Sequence, residues 1–400
     1  EAAFGDQLDF FTTSETARDL GGLIDAVRGD ARVTLLGASY GTTLLQRYLH
    51  FFPDQAGAVI LDSLANPGSS FTYFAEGSDR VGHQYLDLCA DDDGCAARLG
   101  DDPAALTDAT FTAQLDDEGC AEVVGGGIDR AELASIFQVM LTYTAYRALI
   151  PAVVHRLARC NADDVDALLH METVFGDGAT DLAARLRGHY LYHHIVFSEM
   201  WSADAPSADE YAEDLADNAF GNSETDLEAL APSWPVYPPE PLADRYPDVD
   251  LPMLLANGTL DAQTPLEDAL PARDHYTAPN QTFIIVPGAP HGAIGGEEWS
   301  EPSLPCSVRI TEAFVRDPTA ALDTSCLDDI GPPSFEPTAE AADLFCGTTD
   351  AWGDGDGDFA VSALTPSRRA ASIAELRGAM ARLGLRRRPV HHRLAGASTR

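Results

Sequence analysis

Gly37-Ala38-Ser39-Tyr40-Gly41 fits Gly-x-Ser-x-Gly, a spacing that can hold a serine hydroxyl on a tight turn between a strand and a helix. A serine hydroxyl is a weak nucleophile until a histidine takes its proton, and that histidine needs a carboxylate to fix its tautomer and orientation. Two later loops hold the complementary groups. Asn257-Gly258-Thr259-Leu260-Asp261 follows one apolar run, and Pro287-Gly288-Ala289-Pro290-His291-Gly292 follows another. Ser39, Asp261 and His291 therefore come in the order nucleophile, acid, base, and the chemistry they imply is acyl transfer through a serine ester. Each has an ordinary alternative when taken singly. A chain with 33 glycines produces such a pentapeptide by chance, and His291 is one of 11 histidines. Loop aspartates are common turn formers, and Thr264-Pro265-Leu266-Glu267 reads as a capping box that Asp261 merely precedes. Their shared order and context favour the triad.

The elements that must position these residues can be read from local pattern. Val33-Thr34-Leu35-Leu36 is an apolar run suited to a strand buried on both faces, and Leu44, Leu45, Tyr48, Leu49 and Phe52 recur at helical spacing until Pro53. The glycines on both sides of Ser39 suit a strained turn in which flanking Cβ atoms would collide with strand and helix. Upstream, Thr12-Thr13-Ser14-Glu15 opens a helix with Leu20, Leu23, Ile24 and Val27 on one face and Gly29 as its stop. Ala58–Leu61, Met253–Ala256 and Phe283–Val286 are further buried strands. Alternating helix and strand predicts an α/β fold with a doubly wound, mostly parallel sheet. The alternation stops near Asn66 and resumes only after the proline-rich stretch from Pro232 to Pro252, so a large helical insertion interrupts one α/β unit.

Composition narrows the partners. The net charge is −39 with no lysine, which argues against nucleic acid or an anionic membrane surface. No apolar run is long enough for a transmembrane segment. Residues 361–400 carry nine arginines against Glu375 alone, and read as a basic tail, either an amphipathic helix or an unstructured or out-of-frame end. Among seven cysteines, Cys89 with Cys95 and Cys306 with Cys326 look like local disulfides, the alternative being buried free thiols. Disulfides would place the protein in a secreted, periplasmic or envelope setting. No metal site or cofactor is expected. His189 and His193 have the spacing of a metal pair but sit in a packed-helix context, and the Asp354-Gly355-Asp356-Gly357-Asp358 run has Thr365 where a calcium loop closes with Glu.

The chain resembles the serine aminopeptidases of the α/β-hydrolase superfamily, the prolyl and tripeptidyl aminopeptidase group. The resemblance is carried by Phe11-Thr12-Thr13 through Asp19-Leu20, by Gly37-Ala38-Ser39-Tyr40-Gly41-Thr42, and by Phe52-Pro53 leading to Val59-Ile60-Leu61-Asp62. It continues in Asn257-Gly258-Thr259-Leu260-Asp261 with Thr264-Pro265, and in Cys306 to Cys326, which is similar to the group's C-terminal extension. Pro290, where a glycine is common, is a mild departure. Pattern, charge and resemblance together divide the chain into a core of residues 1–66 and 250–305, a helical cap insertion at 67–249, an extension at 306–360 similar to the group's, and the basic tail at 361–400. It implies peptide substrates with a free amino terminus, whose ammonium is read by acids of the cap. Glu199, an acid among apolar neighbours in Ile195-Val196-Phe197-Ser198-Glu199-Met200-Trp201, is the candidate, with a solvated helix end as the alternative.

An oxyanion hole takes two backbone donors, one from the residue after the nucleophile, here Tyr40, and one from a glycine-rich loop after an earlier strand. The 38 residues before Ser39 contain no such loop, and the first strands of the usual sheet are absent from them. The expectation is that the natural chain continues upstream of Glu1 by on the order of 100 residues, with that loop and a secretion signal, and that residues 1–400 alone are a poor catalyst. An esterase of small acyl esters, or a non-catalytic binding protein lacking the oxyanion loop, are the competing readings.

Overall fold

The computed structural model describes residues 5–176, 182–221, 225–298 and 303–355. Four strands, β1 (Thr34–Ser39), β2 (Ala58–Leu64), β3 (Met253–Gly258) and β4 (Gln281–Val286), form one parallel sheet in the order β1-β2-β3-β4. All four carboxyl ends therefore lie at one edge of the sheet, where an open α/β sheet presents its loops.

Period-two alternation puts successive side chains of the inner strands on opposite faces, and both faces are covered. Val59, Leu61, Met253 and Leu255 pack against helices α1 (Thr13–Val27) and α2 (Tyr40–Phe51) and the helix Leu266–His275. Ile60, Leu254, Ala256 and Ile284 face the helix Cys306–Arg316. The edge strand β1 departs from the doubly buried strand expected, since Leu36 is 59% exposed. Its composition matches that of an inner strand, but in the described sheet it has a neighbour on one side only.

Helix α1 begins as its sequence suggests, with the Thr12 hydroxyl accepting from Glu15 N, and it ends before Gly29 at φ +52. Its apolar stripe is only partly buried: Ile24 is in the core, while Leu23 and Val27 are exposed. Close packing on α2 sets its position, because a Cβ at Gly21 would lie 2.3 Å from the Phe52 ring.

Between β2 and β3 the chain is helical, with its own apolar core around Tyr85, Phe111, Phe137 and Phe220. The C-terminal segment contributes Phe335, Phe345 and Trp352 to this same core. Disulfides join Cys89 to Cys95, Cys306 to Cys326 and also Cys120 to Cys160, a pair 40 residues apart with no local spacing signature. Cys346 is free and buried, and burial pushes its thiol up to about 11. Among the described residues no helix is long and apolar enough to cross a membrane. The basic tail at 361–400 lies outside the described residues.

Candidate active site

Strand β1 runs straight into α2 with Ser39 at the junction, at φ 54° and ψ −127°. A non-glycine residue at positive φ is strained and is retained only where its surroundings fix it. Gly37 allows the turn, since a Cβ there would sit 2.4 Å from the Gly41 carbonyl oxygen and 2.9 Å from Leu45. Gly41 itself faces open space, so the steric demand falls on one side of the serine and not on both. Tyr40 is the first residue of α2, and its N–H has no acceptor within its own helix. Its side chain points into structure: the hydroxyl bonds Thr13 Oγ1 at 3.0 Å, and burial pushes the phenol up to about 12.

Asp261 follows β3 and is completely buried. Its Oδ1 accepts from Gln263 N at 3.0 Å and Thr264 N at 2.8 Å, and its Oδ2 accepts from Thr264 Oγ1 at 2.8 Å. The Thr264 hydroxyl therefore serves Asp261 and does not cap the helix Leu266–His275, which starts after Pro265 without a side-chain cap. His291 Nδ1 lies 2.9 Å and 3.1 Å from the two carboxylate oxygens. Burial pushes the Asp261 carboxyl up, but the imidazole and the Thr264 bonds prevail and hold it below its usual range. Burial likewise pushes His291 down, and Asp261 overcomes this to leave its pKa above the ordinary value. With Nδ1 committed to Asp261, Nε2 is the nitrogen left for proton transfer.

The tail of β2 lies between the serine and the histidine loop. Ala38 pairs with Asp62 and Ser39 with Leu64, leaving Ser63 as an extra residue at φ 55°. Gly292 N donates to Ser63 Oγ at 2.8 Å and Ala293 N to Asp62 Oδ1 at 2.9 Å. Ser39 and His291 thus flank one strand end. Among the described residues no hydrogen bond joins the Ser39 hydroxyl to His291, a separation common before substrate tightens such a site.

The helical region grips the same loops. Leu260 and Ala262, on either side of Asp261, belong to its core. Ser78 Oγ donates to the Ala262 carbonyl at 2.9 Å, and Thr144 Oγ1 to that of Gly296 at 2.7 Å. Arg147, 1% exposed, donates to the Gly288 carbonyl and pairs with Glu298 at 3.1 Å.

Glu199 ends the helix Leu182–Glu199 but is not solvated. Its Oε2 pairs with Arg47 at 2.9 Å, with both side chains at 3% exposure or less, while its Oε1 accepts from Thr13 N and the Tyr237 hydroxyl. Arg47 also reaches the partly exposed Glu240 at 3.5 Å, and Ser14 Oγ bonds both. Through Thr13 this cluster adjoins Tyr40, the residue next to Ser39. His193 packs on Phe197 and Trp234, whereas the side chain of His189 lies outside those described. Asp354 pairs with Arg98 and Arg159.

Sequence reasoning missed Glu240, Tyr237, Arg47 and Ser63 as members of this region. Arg47 alone carried a signal, as a cation in the middle of a helix whose neighbours Leu45, Tyr48 and Leu49 are buried.

No protein-family model matches the chain. Tripeptidyl aminopeptidases of Streptomyces lividans and Streptomyces coelicolor are each 27% identical to it over 283 residues, covering 68% of this chain and 51% of theirs. The serine protease Hip1 of Mycobacterium tuberculosis is 36% identical over 99 residues, 23% of this chain and 18% of that protein. The chain spans about half the length of the tripeptidyl aminopeptidases it matches. It is thus a distant relative of proteins named as tripeptidyl aminopeptidases and as a serine protease.

Proposed function

We propose that the protein is a serine hydrolase of the α/β-hydrolase kind, with Ser39, His291 and Asp261 as nucleophile, base and acid. The observation that carries this reading is the buried Asp261–His291 pair at 2.9 Å on the loops after β3 and β4, with the histidine loop bonded to the end of β2, the strand that pairs with that of the positive-φ Ser39. Ser39 Oγ forms its bond to the substrate carbonyl carbon as its proton passes to His291 Nε2. The Tyr40 N–H meets the oxyanion, assisted by the positive end of α2. Collapse breaks the C–N bond, and the leaving amine takes the proton from His291. Water then attacks the ester, giving one proton to His291, which returns it to Ser39 as the acid departs.

The finer reading is an aminopeptidase that releases residues or short peptides from free amino termini. The distant likeness to tripeptidyl aminopeptidases supports it. So does the charge around Glu199: two carboxylates, Glu199 and Glu240, share the single guanidinium of Arg47, which leaves one negative charge in excess beside Tyr40. A substrate ammonium is the complement of such a site. In this reading residues 1–66 and 250–305 form the catalytic core and 67–249 the cap. Three disulfides fit an extracellular or envelope setting.

The test is labelling with a fluorophosphonate followed by peptide mapping, alongside hydrolysis of an aminoacyl substrate and its N-acetylated counterpart. Labelling is expected at Ser39 and lost in His291→Ala, with the free amine preferred. Labelling elsewhere removes the triad, and equal rates on the two substrates remove the aminopeptidase.

A further inference from the structure

We propose that Asp62 is a positioning residue for the base: from the end of β2 it holds the histidine loop by its backbone and places a second carboxylate against the imidazolium formed during turnover. The inference rests on the triad reading above and adds to it a group that the triad does not use.

Three observations carry it. Asp62 is buried at the strand end next to Ser39, where its Oδ1 accepts from Ala293 N at 2.9 Å and Ile294 N at 3.3 Å. Ser63, the extra residue of the bulge, sends its side chain to the same loop and accepts from Gly292 N at 2.8 Å and Ala293 N at 3.3 Å. Three consecutive amides after His291 therefore end on two consecutive side chains of β2. Such a bulge re-aims a side chain beside a site at the cost of a strained backbone.

The second part is electrostatic. The charged groups that face His291 are Asp261 from the β3 loop and Asp62 from β2, and those that face Asp62 are His291 and Asp261. Burial raises the Asp62 carboxyl to about 6, against the pull of its amide bonds. His291 is raised above its ordinary value with Asp62 among the causes, and Asp62 is in turn drawn down by His291, so the carboxylate and the imidazolium favour each other. An ionised carboxylate there stabilises the imidazolium, whereas Asp261 alone also fixes the tautomer through Nδ1.

The experiment measures the rate of Ser39 labelling by a fluorophosphonate across pH, using the full chain and Asp62→Asn, Asp62→Ala and Ser63→Ala. In Asp62→Asn the amide oxygen still accepts from the loop while the charge is gone. Its acid limb is expected to move to lower pH by about one unit, because the imidazolium loses a favourable neighbour. Asp62→Ala should show the same shift with a lower plateau. Ser63→Ala, which removes an anchor and no charge, should label about 3–10-fold more slowly at every pH with its limb unmoved. An Asp62→Asn limb that coincides with the parent's overturns the electrostatic role. If Asp62→Asn does not fold, a parent-like rate in Ser63→Ala overturns the anchor. A parent that never labels at Ser39 removes the triad reading itself, which separates that failure from failure of the role given to Asp62.

Discussion

Ser39 and the Asp261–His291 pair are held by different parts of the molecule. The serine turn is set within the sheet region by a strand, a helix and a glycine whose missing side chain lets the two meet, and the helical region reaches it only at a distance, through the Arg47–Glu199 pair on α2. Asp261 and His291 stand on loops of the same sheet, but those loops are also seated in the helical region. Leu260 and Ala262 lie in its core, and Ser78, Thr144 and Arg147 bond the loop carbonyls. The difference teaches that a helical segment inserted in an α/β unit can complete the site as well as cover it. Loss of the sheet elbow should abolish chemistry without loosening the fold, whereas damage to the helical grip should cost stability and rate together.

Ser39→Ala is the sharpest break on the sheet side. Hydrolysis should fall by about 10⁴–10⁶, because members of a triad act as a unit, and the melting temperature should stay close to the parent's. Substantial activity in this variant would remove the elbow from the mechanism. On the helical side, Arg147→Ala should lower stability by about 3–5 kcal/mol, since it empties the space of a large buried side chain and leaves the Gly288 carbonyl without its donor. Denaturant titration gives the stability, and a kcat that falls with it at temperatures where the variant is folded marks the grip on the histidine loop. An unchanged kcat would mean that the helical region only covers the site.

Replacing Cys120 and Cys160 by serine sharpens the contrast further. Opening that long loop should cost about 2–4 kcal/mol of stability, read by thermal unfolding, while kcat at low temperature stays near the parent's because the bonds that hold the site loops come from Ser78, Thr144 and Arg147. A proportionate loss of kcat would show that the whole helical core is tuned to the site. The smallest effect expected is in Glu199→Gln. KM for a substrate with a free amino terminus should rise about 10–100-fold, with its N-acetylated counterpart little changed. Equal changes in both would assign Glu199 to holding Arg47 and α2.

Much of the sheet was legible because inner strands of a parallel sheet are short apolar runs flanked by turn residues, as in Ala58–Leu61 and Met253–Ala256. Asp261 and His291 could be placed because each follows such a run. The position of a strand within its sheet is not written locally, and so the exposure of Leu36 could not be foreseen. Nor are polar pairs distant in sequence, since they have no period. Arg47 with Glu199, Arg147 with Gly288, Ser63 with Gly292 and Cys120 with Cys160 all join segments with unrelated local patterns. Thr264 shows a subtler limit: one hydroxyl suited a helix cap and a carboxylate equally, and only the fold decides between them.

The C-terminal segment has a mechanical consequence. After the helix Cys306–Arg316 has packed on the sheet, the chain crosses to the helical region and buries Phe335, Phe345 and Trp352 in its core. The helical region is thus fastened where the chain leaves β2, where it returns to β3, and a third time by this strap. Two fastenings can act as a hinge; a third, off their axis, locks the joint. Swinging the region outward would pull large aromatic side chains into water at about 1.5–3 kcal/mol each. The helical region is therefore held, without a free axis to turn on, against the end of the sheet where the loops of Asp261 and His291 stand.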